Sequence, residues 1–106
     1  MARQNEPLES MRLDKWLWCA RFYKTRTLAA AAIKGHKVNV NDQAIKAAKT
    51  IKPGDKVEIR KTPYQWTISV RKLINNRVSA TQLASLFEED EDSITTRENL
   101  SKQMKA

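Results

Sequence analysis

Arg12, Lys15, Arg21, Arg26, Lys34 and Lys37 crowd into one short stretch, and Lys46 and Lys49 follow soon after. Guanidinium and ammonium groups at this density suit one chemistry above others. Each can bind a phosphate oxygen through a charge-assisted hydrogen bond, and a set of them gives an affinity that falls steeply with salt. Held on two helices and a turn, they keep fixed directions, which a loose basic tail does not provide. The competing reading is a solvated basic surface. Charge placement argues against it: residues 1 to 72 carry sixteen Lys and Arg against six Asp and Glu, whereas residues 73 to 106 carry four against six. A net +10 confined to one part attracts polyanions over roughly a Debye length, about 8 to 10 Å, so nucleic acid is the expected partner.

Other chemistries lack their residues. His36 is the sole histidine, and with no second His and no acid close in sequence it is not expected to ligate metal or to act as a base. A contact to bound phosphate is its better minority use. Cys19, the lone cysteine, is expected to pack as a small apolar residue, and it excludes an intramolecular disulfide or a multi-cysteine zinc site. Glycine occurs only at 35 and 54, so no phosphate-cradling loop of the nucleotide-hydrolase kind is present. No catalytic residue, metal or cofactor is expected. Trp16, Trp18, Phe22 and Tyr23 are able to stack unpaired bases, but core packing competes: it is favoured for Trp16 and Trp66, while Trp18 stays open between the two uses.

The elements that must position these cations can be read from periodicity. Leu13, Leu17 and Ala20 fall at i, i+4 and i+7, an apolar helix stripe, with Asp14 near the helix start. Asp14, Trp18 and Arg21 share another side, which is expected to be surface. A second helix is expected from Thr25 or Thr27 as N-cap, through Leu28 and the Ala29 to Ala32 tract, to a stop near Gly35. Val38 and Val40 then alternate with polar neighbours, and Asn41-Asp42 supplies a hairpin turn. Lys52-Pro53-Gly54-Asp55 is another turn, before strands carrying Val57 and Ile59 and then Trp66, Ile68 and Val70. The fold class is α+β: two N-terminal helices on a small curved, mainly antiparallel sheet, with a C-terminal helical extension. Ser79 and Gln82 suggest a capping box for a helix through Leu83, Leu86 and Phe87, and Asp92 or Ser93 a cap for a final helix with Ile94, Leu100 and Met104. The acids at 88 to 92 fit a solvated helix boundary or, less well, a decoy for the basic surface.

A chain of 106 residues builds one modest core. Residues 1 to 10 read as a flexible arm, 11 to 72 as the binding domain and 73 to 106 as an acidic helical extension. No signal sequence and no run of roughly 20 apolar residues is present, so a cytoplasmic setting without membrane contact is expected.

With these residues assembled, the stretch from Arg12 to Asp42 closely resembles the RNA-binding domain first named in small-subunit ribosomal protein four, the αL motif. Within it, RLDKWLW followed by ARFYKTR is similar to the ribosome-associated heat-shock branch of about fifteen kilodaltons, and the likeness runs on through KPGDKVEIR to about residue 72. The acidic FEED near residue 87 is also similar to that branch. The resemblance implies RNA binding without catalysis, through Arg12, Arg21, Thr25, Arg26, Lys37, Asn41, Lys46 and Lys49; Lys15 and Lys34 are added from charge placement. Two positions depart from the motif. It usually has Gly where this chain has His36, and Asn-Gly where it has Asn41-Asp42, so a side chain must tolerate positive φ there. The branch's longer basic C-terminal extension has no counterpart here, so contacts made through it are expected to be absent or reduced.

The expected partner is ribosomal RNA of the 50S subunit, with peptidyl-tRNA as a further candidate, bound by a monomer in the rescue of obstructed subunits under stress. The alternative is a detached recognition module assisting an RNA-modifying enzyme or an aminoacyl-tRNA synthetase. A membrane-surface role ranks last, because turns and strands interrupt the basic residues before they can form one long amphipathic helix.

Overall fold

The structure is a computed structural model that describes residues 10–46, 48–74 and 76–105. The arm expected over residues 1 to 10 lies, apart from Ser10, outside the described residues. Strand β1 (Met11–Arg12) leads directly into helix α1 (Leu13–Cys19), whose Leu13, Leu17 and following Ala20 are buried as their spacing requires. Helix α2 (Arg26–Lys34) starts where Thr25 caps it, the threonine side chain accepting a hydrogen bond from the Leu28 amide at 3.1 Å.

Both helices stop by the same device. After α1, the Arg21 amide bonds Trp18 O at 3.1 Å and the Phe22 amide bonds Leu17 O at 3.0 Å; after α2, His36 bonds Ile33 O at 3.1 Å and Lys37 bonds Ala32 O at 3.0 Å. This is the paired-bond stop in which one residue turns left-handed, and here Arg21 (φ 64°) and His36 (φ 61°) take that position. Gly35 keeps ordinary right-handed geometry at the C-cap, and a Cβ there would meet Ala31 O at 3.3 Å. The positive φ expected near His36 is therefore present; the one at Arg21 has no glycine signal in the sequence.

Strand β2 (Val38–Val40) turns through Asn41 (φ 51°) and Asp42 (φ 65°) into β3 (Gln43–Ala44), a two-residue hairpin of the type that needs two left-handed residues. Strand β4 (Thr50–Ile51) returns to pair antiparallel with β1. Strands β5 (Lys56–Lys61), β6 (Tyr64–Val70) and β7 (Phe87–Glu89) complete an antiparallel sheet of order β3-β2-β5-β6-β7. Val38, Val40, Val57, Ile59, Ile68 and Val70 alternate onto its buried face, where α1 and α2 cover them.

The core continues past residue 72. Leu73, Val78 and Leu86 join it, and the Trp16 indole donates to Lys72 O at 3.1 Å. Here the structure corrects the sequence reading. The expected helix through Leu83, Leu86 and Phe87 is only a short 3-10 turn (Ala80–Ser85); Leu86 is buried and Phe87 belongs to a strand. Pairing with β6 outweighs the local helical spacing, a long-range term that periodicity does not contain. Ser79 makes no capping bond to the backbone; its hydroxyl meets that of Thr81 at 2.9 Å. Helix α3 (Glu91–Lys105) starts before both residues expected to cap it. Ser93 instead accepts the Thr67 amide at 3.0 Å and hydrogen-bonds Glu89 at 2.6 Å, so it ties α3 to the sheet.

Candidate nucleic-acid interface

Asp14, placed by its spacing on an exposed face, is 3% exposed. It is buried because it takes three partners. Arg12 reaches both carboxylate oxygens, Nε to Oδ1 at 3.2 Å and Nη2 to Oδ2 at 3.0 Å; the Lys15 amide donates at 2.7 Å; and Arg26 Nη2 stands 3.5 Å away. The acid thus gathers one guanidinium from before α1 and one from the first turn of α2, leaving both half exposed. Lys15 sits half-buried on α1 beside this group, and Arg21 donates Nη1 to Val78 O at 3.2 Å.

Helix α2 forms a ridge. Thr27, Ala31 and Lys34 are exposed and fall at i, i+4 and i+7 along its crest. On one side of Ala31 lies a groove of about 540 Å³ with an apolar floor of Ala30, Ile33 and Ile45 and a rim of Lys34, His36 and Lys46. It adjoins a second hollow where His36, Lys46 and Lys49 meet. On the other side of Ala31 a groove of about 600 Å³ is lined by Tyr23, Lys24, Leu28, Lys37, Arg60 and Lys61. Among the described residues, Lys24, Lys34, Lys37, Lys46, Lys49 and Arg60 are in no ion pair within 4 Å, whereas Lys56, Arg71 and Arg97 pair with Asp90, Glu88 and Glu89. The acids at 88 to 90 thus neutralise cations of the sheet and α3 rather than those of the ridge.

The predicted site residues separate into groups. Lys34, Lys46 and Lys49 come together on one flank of the ridge, Lys37 stands on the other, and Arg12 and Arg26 share Asp14. Thr25 and Asn41 have structural employment: Thr25 caps α2, and Asn41 donates to Asp55 Oδ1 at 3.3 Å while accepting the Lys56 amide at 3.0 Å, which fixes the hairpin to β5. Sequence reasoning missed Lys24 and Arg60 as companions of Lys37, and Asp14 as the organiser of two arginines. Arg60 sits one residue after the inward Ile59 of β5, a placement the alternation of that strand carries.

The aromatic residues turn inward. Trp16 is fully buried, and Phe22 packs against Trp16, Trp66 and Phe87 with centroids 6.4, 6.4 and 5.0 Å away. Trp66, expected in the core, is only half-buried, with Arg97 over its ring at 5.3 Å. Trp18 is half-buried with Arg77 at 6.0 Å, and Tyr23 lies under Lys61 at 5.0 Å. Burial pushes the Tyr23 hydroxyl up from its ordinary pKa. It also raises Cys19, against the opposing pull of Lys15, Arg26 and Arg77, so the thiol stays protonated and is a poor nucleophile. At the edge of the basic area, a hydrogen bond with Asp42, with burial, raises the Glu58 carboxyl. Among the described residues, no group of His, Cys, Asp and Glu could hold a metal ion, and no helix is long and apolar enough to cross a membrane.

Two short helices with left-handed stops, feeding a two-residue hairpin and flanked by cations that are unpaired among the described residues, define an S4-type domain, and residues 11–57 match the S4 domain family. Heat shock protein 15 of Escherichia coli K12 is 38% identical over 97 residues, spanning 92% of this chain and 73% of that protein. The chain belongs to the heat shock protein 15 family of S4-domain proteins. The trimeric structure of Vibrio cholerae heat shock protein 15 superposes with a TM-score of 0.84 at 40% identity, covering 90% of this chain and 96% of that one. The RQC P-site tRNA stabilizing factor of Bacillus subtilis is 36% identical over 63 residues, 59% of this chain and 73% of that protein.

Proposed function

We propose that this protein is a non-enzymatic, cytoplasmic RNA-binding factor that docks ribosomal RNA of the 50S subunit, on particles carrying nascent chain-tRNA, in the rescue of stalled ribosomes under stress. The observation that carries the reading is the gathering of Lys34 of α2 with Lys46 and Lys49, all three outside any ion pair among the described residues, a surface that suits phosphates. The names of the relatives point the same way, one to heat shock and one to a tRNA in the ribosomal P site. On this reading Arg12, Lys15, Arg21, Arg26, Lys34, Lys37, Lys46 and Lys49 face RNA, while Thr25 and Asn41 hold the elements that aim them.

Cosedimentation tests it. The protein is expected to travel with 50S particles bearing peptidyl-tRNA at low salt and to be released as salt rises. Equal retention by duplex DNA, with none by the particles, rules the reading out; retention only through a captured RNA-modifying enzyme or synthetase favours the detached-module alternative. The expected monomer stands against the trimeric Vibrio relative, and sedimentation velocity with and without RNA decides between them.

A further inference from the structure

The ridge has a cationic groove on each side, and they share Ala31 as their common wall. One carries Lys34 and Lys46, the other Lys24, Lys37 and Arg60, and none of these five is in an ion pair among the described residues. The crest between them is low at Ala31 and Thr27, with Lys34 at one end and the half-exposed Leu28 on the wall of the second groove. Two parallel tracks of positive charge separated by about a helix diameter, roughly 10 to 12 Å, match two phosphate backbones rather than one.

We infer that α2 lies in the shallow groove of a double-stranded RNA segment, one backbone entering the Lys34 and Lys46 groove and the other the Lys24, Lys37 and Arg60 groove. This rests on the RNA-binding reading above and adds the shape of the substrate. A-form RNA has a wide, shallow minor groove edged by both backbones and lined with 2′-hydroxyls; the B-form minor groove, about 6 Å wide, does not admit a helix, and the B-form major groove, which does, offers no 2′-hydroxyl. The low crest lets the helix backbone approach the groove floor, and the exposed Thr27 hydroxyl is placed to meet a 2′-hydroxyl. Glu58, with Asp42 beside it, borders the second groove where Lys37 and Arg60 end, and marks the limit of the phosphate track. Lys61 also lines this groove, with its Nζ donating to Phe22 O at 2.8 Å.

The test is filter binding of the full chain to a blunt RNA duplex of about 16 base pairs, to the same sequence as DNA duplex, and to one of its single strands. Tighter binding to the RNA duplex than to either control, by at least about tenfold, is expected. Lys34→Ala/Lys46→Ala and Lys24→Ala/Arg60→Ala are each expected to lower the slope of log affinity against log salt by roughly two, and to add when combined. Ala31→Trp, at an exposed position, raises the crest and is expected to cost the RNA duplex at least about tenfold with the circular dichroism unchanged. If only the Lys34 and Lys46 pair lowers the slope, or single-stranded RNA binds as well as duplex, the two-backbone geometry is wrong although RNA binding stands. If the wild type binds neither RNA duplex nor 50S particles, both readings fall together.

Discussion

Arg12 and Asp14 meet in a two-pronged contact at the entrance to α1, with Nε–Oδ1 at 3.2 Å and Nη2–Oδ2 at 3.0 Å, although the carboxylate is buried and the guanidinium half exposed. The acid therefore orients positive charge instead of merely cancelling it. Asp14→Asn removes a negative charge, so a view based on net charge alone expects tighter RNA binding. We expect the opposite. Stability should fall by about 2 kcal/mol, since a charge-assisted network is broken in a partly buried site, and RNA affinity should fall as Arg12 and Arg26 lose their directions. Urea unfolding and filter binding check it; an affinity gain would reduce Asp14 to a repulsive acid.

Arg26 and Lys46 should differ in their salt dependence. Lys46 is unpaired among the described residues, and Lys46→Ala is expected to lower the slope of log affinity against log salt by about one. Arg26 lies 3.5 Å from Asp14, so part of its charge is already matched, and Arg26→Ala should lower the slope by clearly less. Equal slopes would show that Asp14 does not screen the arginine.

His36 offers a separation of stability from binding. Its φ of 61° is a conformation that glycine adopts freely and that any Cβ resists by crowding the following carbonyl oxygen. His36→Gly is expected to stabilise the fold by roughly 0.5 to 1 kcal/mol, offset in part by the freer unfolded chain, and to raise the melting temperature by a few degrees. Loss of stability would mean that the imidazole makes a packing contribution larger than its backbone cost.

Acid should loosen the attachment of α3. Burial alone would raise the Glu89 carboxyl, but hydrogen bonds from Arg97 and Ser93 outweigh it and hold the group below its ordinary value of 4.5. The fold thus favours the ionised form, and the stability it contributes is present above about pH 4.5 and lost as pH falls through the lower folded value. Glu89→Gln should cost about 1 to 2 kcal/mol near pH 7, and the difference from wild type should shrink towards pH 3. Melting curves across that range check it; a constant difference would assign the effect to packing alone.

What the sequence disclosed was local. The stripe of Leu13, Leu17 and Ala20, the Thr25 cap, the stop near Gly35 and the Asn41-Asp42 turn each depend on a few neighbouring residues, and each is present. The left-handed His36 was legible because the resemblance places glycine there; the left-handed Arg21 was not, because nothing in its neighbourhood announces it. The burial of Asp14 depends on Arg26, twelve residues away, and the strand at Phe87 depends on Val70, so neither is contained in a periodic pattern. The cations of the second groove were hidden for the same reason: Lys24 and Arg60 become neighbours only once β5 lies beside β2 and α2.

The wall behind α1 comes from late in the chain. Trp16 bonds Lys72 O and packs edge-on to Phe87, and Cys19 O accepts the Val78 amide at 3.2 Å. During synthesis, then, α1 must wait for more than sixty further residues before its indole ring is enclosed by Phe87. The cations at 12 to 49 thus precede in the chain the scaffold that aims them, and a copy cut short before Phe87 would carry the charge without its directions.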